Sequence, residues 1–538
     1  MNPARSENQG MYGTSMRENR EIPCSPAPLI TGWAAQGTRC GTPEMHERGK
    51  SDRPVVPANP PNKAAAAEVG EERGRAKGNT AGKTHPGHSA GSGASSALGR
   101  VREVARRDKD ARFTALLHHV TVSRLRAAYW AISPKAAPGV DGVTWVDYGK
   151  NLEAHLTDLH ERVRSGRYRA TPSRRAYIPK VDGRLRPLGI ASLEDKIVQR
   201  AVVEVLNAVY EVDFKGFSYG FRPGRGPHDA LDALAVGLER RRVNWVLDAD
   251  IRDFFGRIDH SWLRRFVEHR IADKRIWRLI GKWLAAGVIE DGQWSACEEG
   301  SPQGASVSPL LANVYLHYVF DLWADWWRRH RAVGDVIIVR FADDYTVGFE
   351  YEDDARRFLI ELRERLAKFG LELHPDKTRL IEFGRRAAID RRRRGLGKPE
   401  TFDFLGFTHM CARMPAGRFW VRRVTIKKRM RAKLAEVKEQ LRLRRHDPIP
   451  IQGRWLARVL QGHMGYYAVP GNSDAVSAFR YQTTLLWHRS LRRRSQRGRV
   501  NWERMDRYAT RWLPIVQAMH PYPNVRLDAK TRGRSPMR

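Results

Sequence analysis

Apolar residues recur along this chain in two distinct periods, and each period predicts a different element. "EDKIVQRAVVEVLNAVYE" spaces Ile197, Val198, Ala201, Val202, Val205, Leu206 and Val209 three and four apart, which predicts a helix with one buried face. "VNWVLDADI", Val336–Val339 and Tyr345–Phe349 are short runs rich in β-branched and aromatic residues and read as strands. "AYIPKVDGRLRPLGI" reads as two strands with a turn at Asp182 and Gly183. "GRVREVARRDKDARFTALLHHV" and "RDFFGRIDHSWLRRF" both look helical, the second with Asp253 as its candidate cap. "GSPQGASVSPLLANVYLHYV" is a Gly/Pro/Ser loop that opens a long apolar helix. Further on, "KRMRAKLAEVKEQLRLRR" sets Met430, Leu434, Val437 and Leu441 on one stripe, with Lys and Arg over the rest.

Residues 1–95 carry no such period. Rich in Gly, Ala, Pro, Ser and charge, they cannot bury enough apolar surface to offset the entropy of ordering, and disorder is expected there. "GNTAGKT" within them imitates a phosphate loop, but Lys77 stands where the pattern requires Gly and no strand precedes it.

Charge changes the picture more than any single element. Lys and Arg number 96 against 60 Asp and Glu, a formal net charge of +36, which predicts a polyanionic partner. Arg predominates, and its planar fork suits phosphate. No apolar run approaches the roughly 20 residues of a membrane span, so nucleic acid is favoured over a membrane. The four cysteines, Cys24, Cys40, Cys297 and Cys411, are far apart, which argues against a zinc site or a disulfide framework.

Against that basic background, two acidic clusters stand out. "RFADDYTVGF" puts Asp343 and Asp344 between two strand-like runs, at a hairpin tip or strand end. Asp is common in turns, because its side chain bonds to nearby backbone. Clustered carboxylates also suit Mg²⁺ or Mn²⁺. Upstream, Asp248 and Asp250 lie two apart at the end of a strand and share a face. Two-metal phosphoryl transfer requires carboxylates that hold two ions about 3.5–4 Å apart. Lys180 and Arg186 in the predicted hairpin suit a triphosphate, and Gln303 lies in a glycine-flanked loop fit to approach a base pair or nucleotide.

Taken in order, these blocks resemble a reverse transcriptase encoded by a bacterial group II intron. "IPKVDGRLRPLGI" is similar to the family's fingers strands, and "SLEDKIVQRAV" through "FSYGFRPGRGPHDAL" to a segment typical of the intron class. "DADIRDFFGRIDH" resembles the first palm motif, "GSPQGASVSPLLANVYLHY" the loop-helix motif and "FADD" the metal turn. "LHPDKTRLIEFG" and "FDFLGF" resemble the closing palm strands, and "RVLQGHMGYYAVPGN" the maturase thumb segment with Tyr466 and Tyr467. The likeness runs from about residue 97 to 538.

The resemblance implies an α+β right-hand polymerase with an antiparallel palm sheet. Its parts would be fingers and palm at 96–415, a helical thumb at 416–484 and a basic DNA-binding region at 485–538. It makes Asp250, Asp343 and Asp344 catalytic, and with the Ile251 carbonyl the ligands of two Mg²⁺ ions, for which Mn²⁺ would substitute. Lys180, Arg186 and Gln303 would contact the incoming dNTP, and Phe255 would exclude a 2′-hydroxyl. Arg222, Lys433, Arg442, Arg492, Arg493 and Arg494 would bind nucleic acid. Phe341 stands where the family usually has Tyr, and Ala305 where it has a second Gly; both bear on fidelity and fine positioning rather than on metal ligation. The partners implied are the parent intron RNA, a target DNA and dNTPs. A homodimer is left open, and the location implied is the bacterial cytoplasm, with nucleoid association on target DNA. No His- and Cys-bearing endonuclease module is expected. A polymerase of another system, such as phage defence, and a splicing-only maturase with a decayed site are the alternatives.

Overall fold

Why each segment adopts its element is visible in a computed structural model of the chain, which describes residues 92–179, 185–290, 293–296, 300, 304–494 and 500–526. Of residues 1–95, where disorder is expected, 1–91 lie outside them, whereas 92–95 open a helix that runs from Ser92 to Arg107, where Asp108 stops it. The Asp108 carboxylate accepts the amides of Asp110 and Ala111, offering the backbone an alternative to the helical ladder. The helical reading of 99–120 therefore holds only for its first part, with a short 3₁₀ turn at Leu117–His119.

Helix Leu193–Asp213 buries every residue of the periodic face and is capped by Ser192, whose hydroxyl accepts from the Asp195 amide at 3.3 Å. Each buried Val, Leu or Ile side chain on that face contributes roughly 1.5–3 kcal/mol. Asp253 does not cap the next helix. It sits at φ 45° before a 3₁₀ turn, Phe254–Arg257, and Asp259 caps helix His260–Arg270 by accepting from the Trp262 amide at 2.8 Å. The apolar helix after the Gly/Pro/Ser loop runs from Ser308 to His330 through a π-helical turn at His317–Asp321.

Among the described residues the strands are, in chain order, β1 (Ser173–Pro179), β2 (Leu185–Ile190), β3 (Trp245–Asp250), β4 (Val288–Glu290), β5 (Gln293–Ser295), β6 (Val336–Phe341), β7 (Asp344–Phe349), β8 (Arg379–Glu382), β9 (Phe402–Phe404), β10 (Phe407–Arg413) and β11 (Phe419–Thr425). They form three sheets, ordered β2-β1-β4-β5, β6-β7-β3-β8 and β11-β10-β9. Every pairing is antiparallel except β1 with β4. The fold is thus a mixed α and β one with antiparallel sheets. Its largest core lies between the helices and one face of the central sheet, through Leu247, Ala249, Tyr345, Val347 and Phe349.

After β11, helices Lys427–Leu443, Ile449–Tyr467, Ser473–Arg492 and Trp502–Trp512 share a core that includes Val437, Leu441, Leu456, Trp487, Met505 and Ala509. The apolar stripe on the first of these helices is its buried seam. The division drawn at residues 484 and 485 falls inside helix Ser473–Arg492, and Trp487, Leu491 and Met505 beyond it pack in the same core. No helix among the described residues is long and apolar enough to cross a membrane.

Candidate active site

β6 and β7 are joined by a two-residue tip, Ala342 and Asp343, so Phe341 faces Asp344 across the hairpin. Tight hairpins of this length favour positive φ, normally supplied by Gly, Asn or Asp. Here Ala342 takes it, at φ 58°. Across the other edge of β7, Asp344 is the register partner of Asp250, while Asp248 lies opposite Thr346. Four aspartates thus converge from two strands about ninety residues apart in sequence.

Directly opposed like charges on a sheet repel. Burial, and then Asp248, Asp343 and Asp250, push the Asp344 carboxyl well above its ordinary range, with Arg429 opposing. Asp248 is pushed up to about 7 by burial, with Asp403 and Asp250 adding to the shift and Arg379 countering it. Lys377 donates from Nζ to Asp250 Oδ2 at 2.5 Å, and the Asp250 carbonyl accepts from the His374 amide at 2.8 Å. Ile251 is buried and pairs with Leu373.

These residues fit a hard divalent cation in donor type and in charge: acids that resist ionising together are relieved by a cation, and Lys377 is the chain's own cation at Asp250. Among the described residues no three acidic, His or Cys side chains already stand as an ion-holding group.

Phe255, half-buried, follows the left-handed turn at Asp253, with its ring edge-on to Phe254 at 5.4 Å. A Cβ on Gly300 would stand 2.7 Å from the Phe255 carbonyl oxygen, so the upstream end of the Gly/Pro/Ser loop passes directly over this turn. Gly304, at φ 113°, approaches Gly189 so closely that a Cβ would lie 2.6 Å from its carbonyl oxygen. Ala305 buries its methyl beside it. Lys180 and Gln303 lie outside the described residues. Arg186 occupies β2 opposite Ile178, and its side chain is outside them too.

The basic residues divide sharply. Arg222 does not face solvent and cannot meet nucleic acid as expected. Its side chain is 2% exposed, pairs with Glu211 at 3.0 Å and donates to the carbonyls of Lys215 and Ser218, each at 2.8 Å. A basic loop in sequence does not reveal that the preceding helix turns a glutamate back onto it. Arg494 is half-buried and donates to the Asp447 carbonyl, tying the end of one helix to the loop before another. Lys433 pairs with Glu436 and Arg442 with Glu439, at 2.9 and 2.7 Å. Arg492 and Arg493 are exposed, as are Arg386, Arg392 and Arg393 on helix Arg385–Arg393, which no motif singles out.

Two residues of the centre are not evident from the motifs. Lys377 sits in "LHPDKT", where only its placement beside Asp250 distinguishes it. Arg340 is the other, and it does leave a signal: a charge inside the apolar run "VIIVRF".

Residues 178–409 match the family described as reverse transcriptase (RNA-dependent DNA polymerase). The chain is 40% identical over 217 residues to the protein YkfC of Escherichia coli (strain K12), covering 39% of this chain and 57% of that one. It is 39% identical over 166 residues to the group II intron-encoded protein LtrA of Lactococcus lactis, covering 31% and 27%. A third relative, an uncharacterized 91 kDa protein in the cob intron of Schizosaccharomyces pombe, is 40% identical over 162 residues, covering 30% and 20%. Residues 178–409 are therefore similar to the reverse transcriptase family, and part of the chain to a group II intron-encoded protein; the chain spans little more than half the length of the first relative and about a quarter of the second.

Proposed function

We propose that the chain is an RNA-directed DNA polymerase that also binds the RNA of a parent group II intron and favours its splicing-competent fold. The observation that carries this reading is the register pairing of Asp250 with Asp344 beside the Asp343 tip, inside a reverse transcriptase domain. In it the β1–β2 sheet serves as fingers, the β6-β7-β3-β8 sheet as palm and the helices after Lys427 as thumb.

Asp250, Asp343, Asp344 and the Ile251 carbonyl would hold two Mg²⁺ ions, which when bound activate a primer 3′-hydroxyl and neutralise the triphosphate. The chain's own part is positioning and electrostatics. Phe255 fills the space beneath the sugar, and Lys180, Arg186 and Gln303 engage the nucleotide's phosphates and base. The exposed arginines hold the nucleic-acid backbone.

Primer extension with the purified chain on an RNA template and a DNA primer tests the reading. Mg²⁺-dependent incorporation of dNTPs is expected. Folded protein that extends no primer with either Mg²⁺ or Mn²⁺ overturns it.

A further inference from the structure

The carboxylate turn rests on a buried arginine. Arg340 is fully buried, on β6, two residues before the left-handed Ala342. Its guanidinium makes five hydrogen bonds. Nε and Nη2 donate to Asp321 at 2.7 and 2.6 Å, Nη1 to Asn313 Oδ1 at 3.0 Å and to the Ala342 carbonyl at 2.9 Å, and Nη2 to Ser218 Oγ at 2.7 Å. Those are all the donors that a guanidinium has. Asp321, Asn313 and Ser218 are themselves buried, and they come from the π-helical turn, the apolar helix before it and the loop at 214–226.

That loop grips the same strand through its backbone. The Tyr219 amide donates to the Arg340 carbonyl and the Arg340 amide to the Phe217 carbonyl, each at 2.9 Å, so residues 217–219 lie along β6 as an added edge. Asn313 Nδ2 donates to the Gly220 carbonyl at 2.7 Å. Gly220 then passes beneath the tip itself: a Cβ there would stand 2.3 Å from the Ala342 nitrogen.

A buried ion pair by itself contributes little to stability, because desolvation offsets the attraction. A fork whose fifth donor goes to the one strained carbonyl of the turn has a use that stability alone does not explain. We propose that Arg340 is a positioning residue, which with Ser218, Asn313, Asp321 and Gly220 holds Ala342 in its left-handed conformation and so fixes Asp343 for metal and nucleotide. This rests on the polymerase reading above. Lys keeps the charge but has only three donors and no planar fork, so it cannot serve Asp321 and the Ala342 carbonyl in the same geometry.

The test compares wild type with Arg340→Lys and with the milder Ser218→Ala, both in the full chain. Two readouts are taken: hydrogen exchange of the peptide covering residues 339–345, without metal, and the Mg²⁺ dependence of dNTP incorporation. Arg340→Lys should speed exchange at the tip while the rest of β3 and β7 keeps its protection. It should lower maximal incorporation by about 10–100-fold and raise the Mg²⁺ needed, with the dNTP KM little changed. Ser218→Ala should act in the same direction by about 2–5-fold, and it carries the test if Arg340→Lys does not fold. Wild-type exchange at the tip in the folded variants overturns the proposal, as does a loss of incorporation that only follows the folded fraction. If wild type itself extends no primer, the polymerase reading falls, and the exchange result alone decides whether Arg340 holds the turn.

Discussion

In the central sheet, four aspartates crowd the end of β3 and the β6–β7 tip, where burial and the neighbouring carboxylates raise the energy of ionised Asp248 and Asp344. In the C-terminal helices the charge is opposite in sign and differently arranged. Lys433 and Arg442 stand beside Glu436 and Glu439, while Arg492 and Arg493 lie open at a helix end. The first arrangement concentrates unfavourable charge at one point and holds it there by register and by Arg340. The second spreads favourable charge over several helix positions, from half-buried Lys433 to the exposed Arg492 and Arg493. A site that acts by position should fail when one member is changed, and one that acts by summed charge should fade by degrees.

The largest effect should come from Asp343→Asn combined with Asp344→Asn, which removes charge without changing shape. Incorporation should fall by about three orders of magnitude or more. RNA affinity, measured by filter binding, should stay within about threefold, since two fewer negative charges near a polyanion are neutral or mildly favourable. A folded double variant that loses RNA binding as completely as synthesis would break the separation of the two regions.

Phe255→Val sharpens the concentrated side. The smaller side chain should admit ribonucleotides, lowering discrimination between matched rNTP and dNTP in single-nucleotide extension by about 10-fold or more. Unchanged discrimination would remove Phe255 from the site.

Asp248→Asn asks what the crowding costs. The folded pKa, about 7, lies above the ordinary value of 3.8, so between those limits the folded chain binds more protons than the unfolded one. Its stability therefore falls as the pH rises through that window. In chelator, the neutral variant should be more stable than wild type at pH 8 by roughly 1–3 kcal/mol, and the gain should vanish near pH 4. Denaturant melts at both values check this, and an equal gain at both would assign the effect to packing.

The smallest effect per residue belongs to the surface. Arg492→Ala with Arg493→Ala should weaken nucleic-acid binding by about 10-fold at moderate salt. Its salt dependence should become shallower by about one unit for each phosphate no longer neutralised. Extension of a tightly annealed primer at low salt should persist. A loss of extension under those conditions would place these arginines in the positioning class.

What was legible in the chain was local. The helical face from Ile197 to Val209, the seam from Met430 to Leu441 and the strands around both aspartate pairs follow from periods that any short window contains. The cap of helix His260–Arg270 was not legible, because Asp253 and Asp259 are equally good caps by type and only the left-handed backbone at Asp253 separates them.

Arg222 and Arg340 mark where the sequence by itself ends. Arg222 lies in a basic loop and Arg340 in an apolar run, and in the fold each is buried and held by its partners. Composition determined a net charge of +36, which suits a polyanionic partner, and spacing determined that Asp248 shares a face with Asp250. Only the tertiary structure decided that Asp250 meets Asp344, that Lys377 answers Asp250, and that Arg340 rather than Arg222 bonds to the carbonyl of the turn. The physical reason is that a buried charge must be satisfied wherever it lies. Its partners are set by the register of strands far apart in the chain: Ser218 is 122 residues from Arg340, a separation no local pattern records.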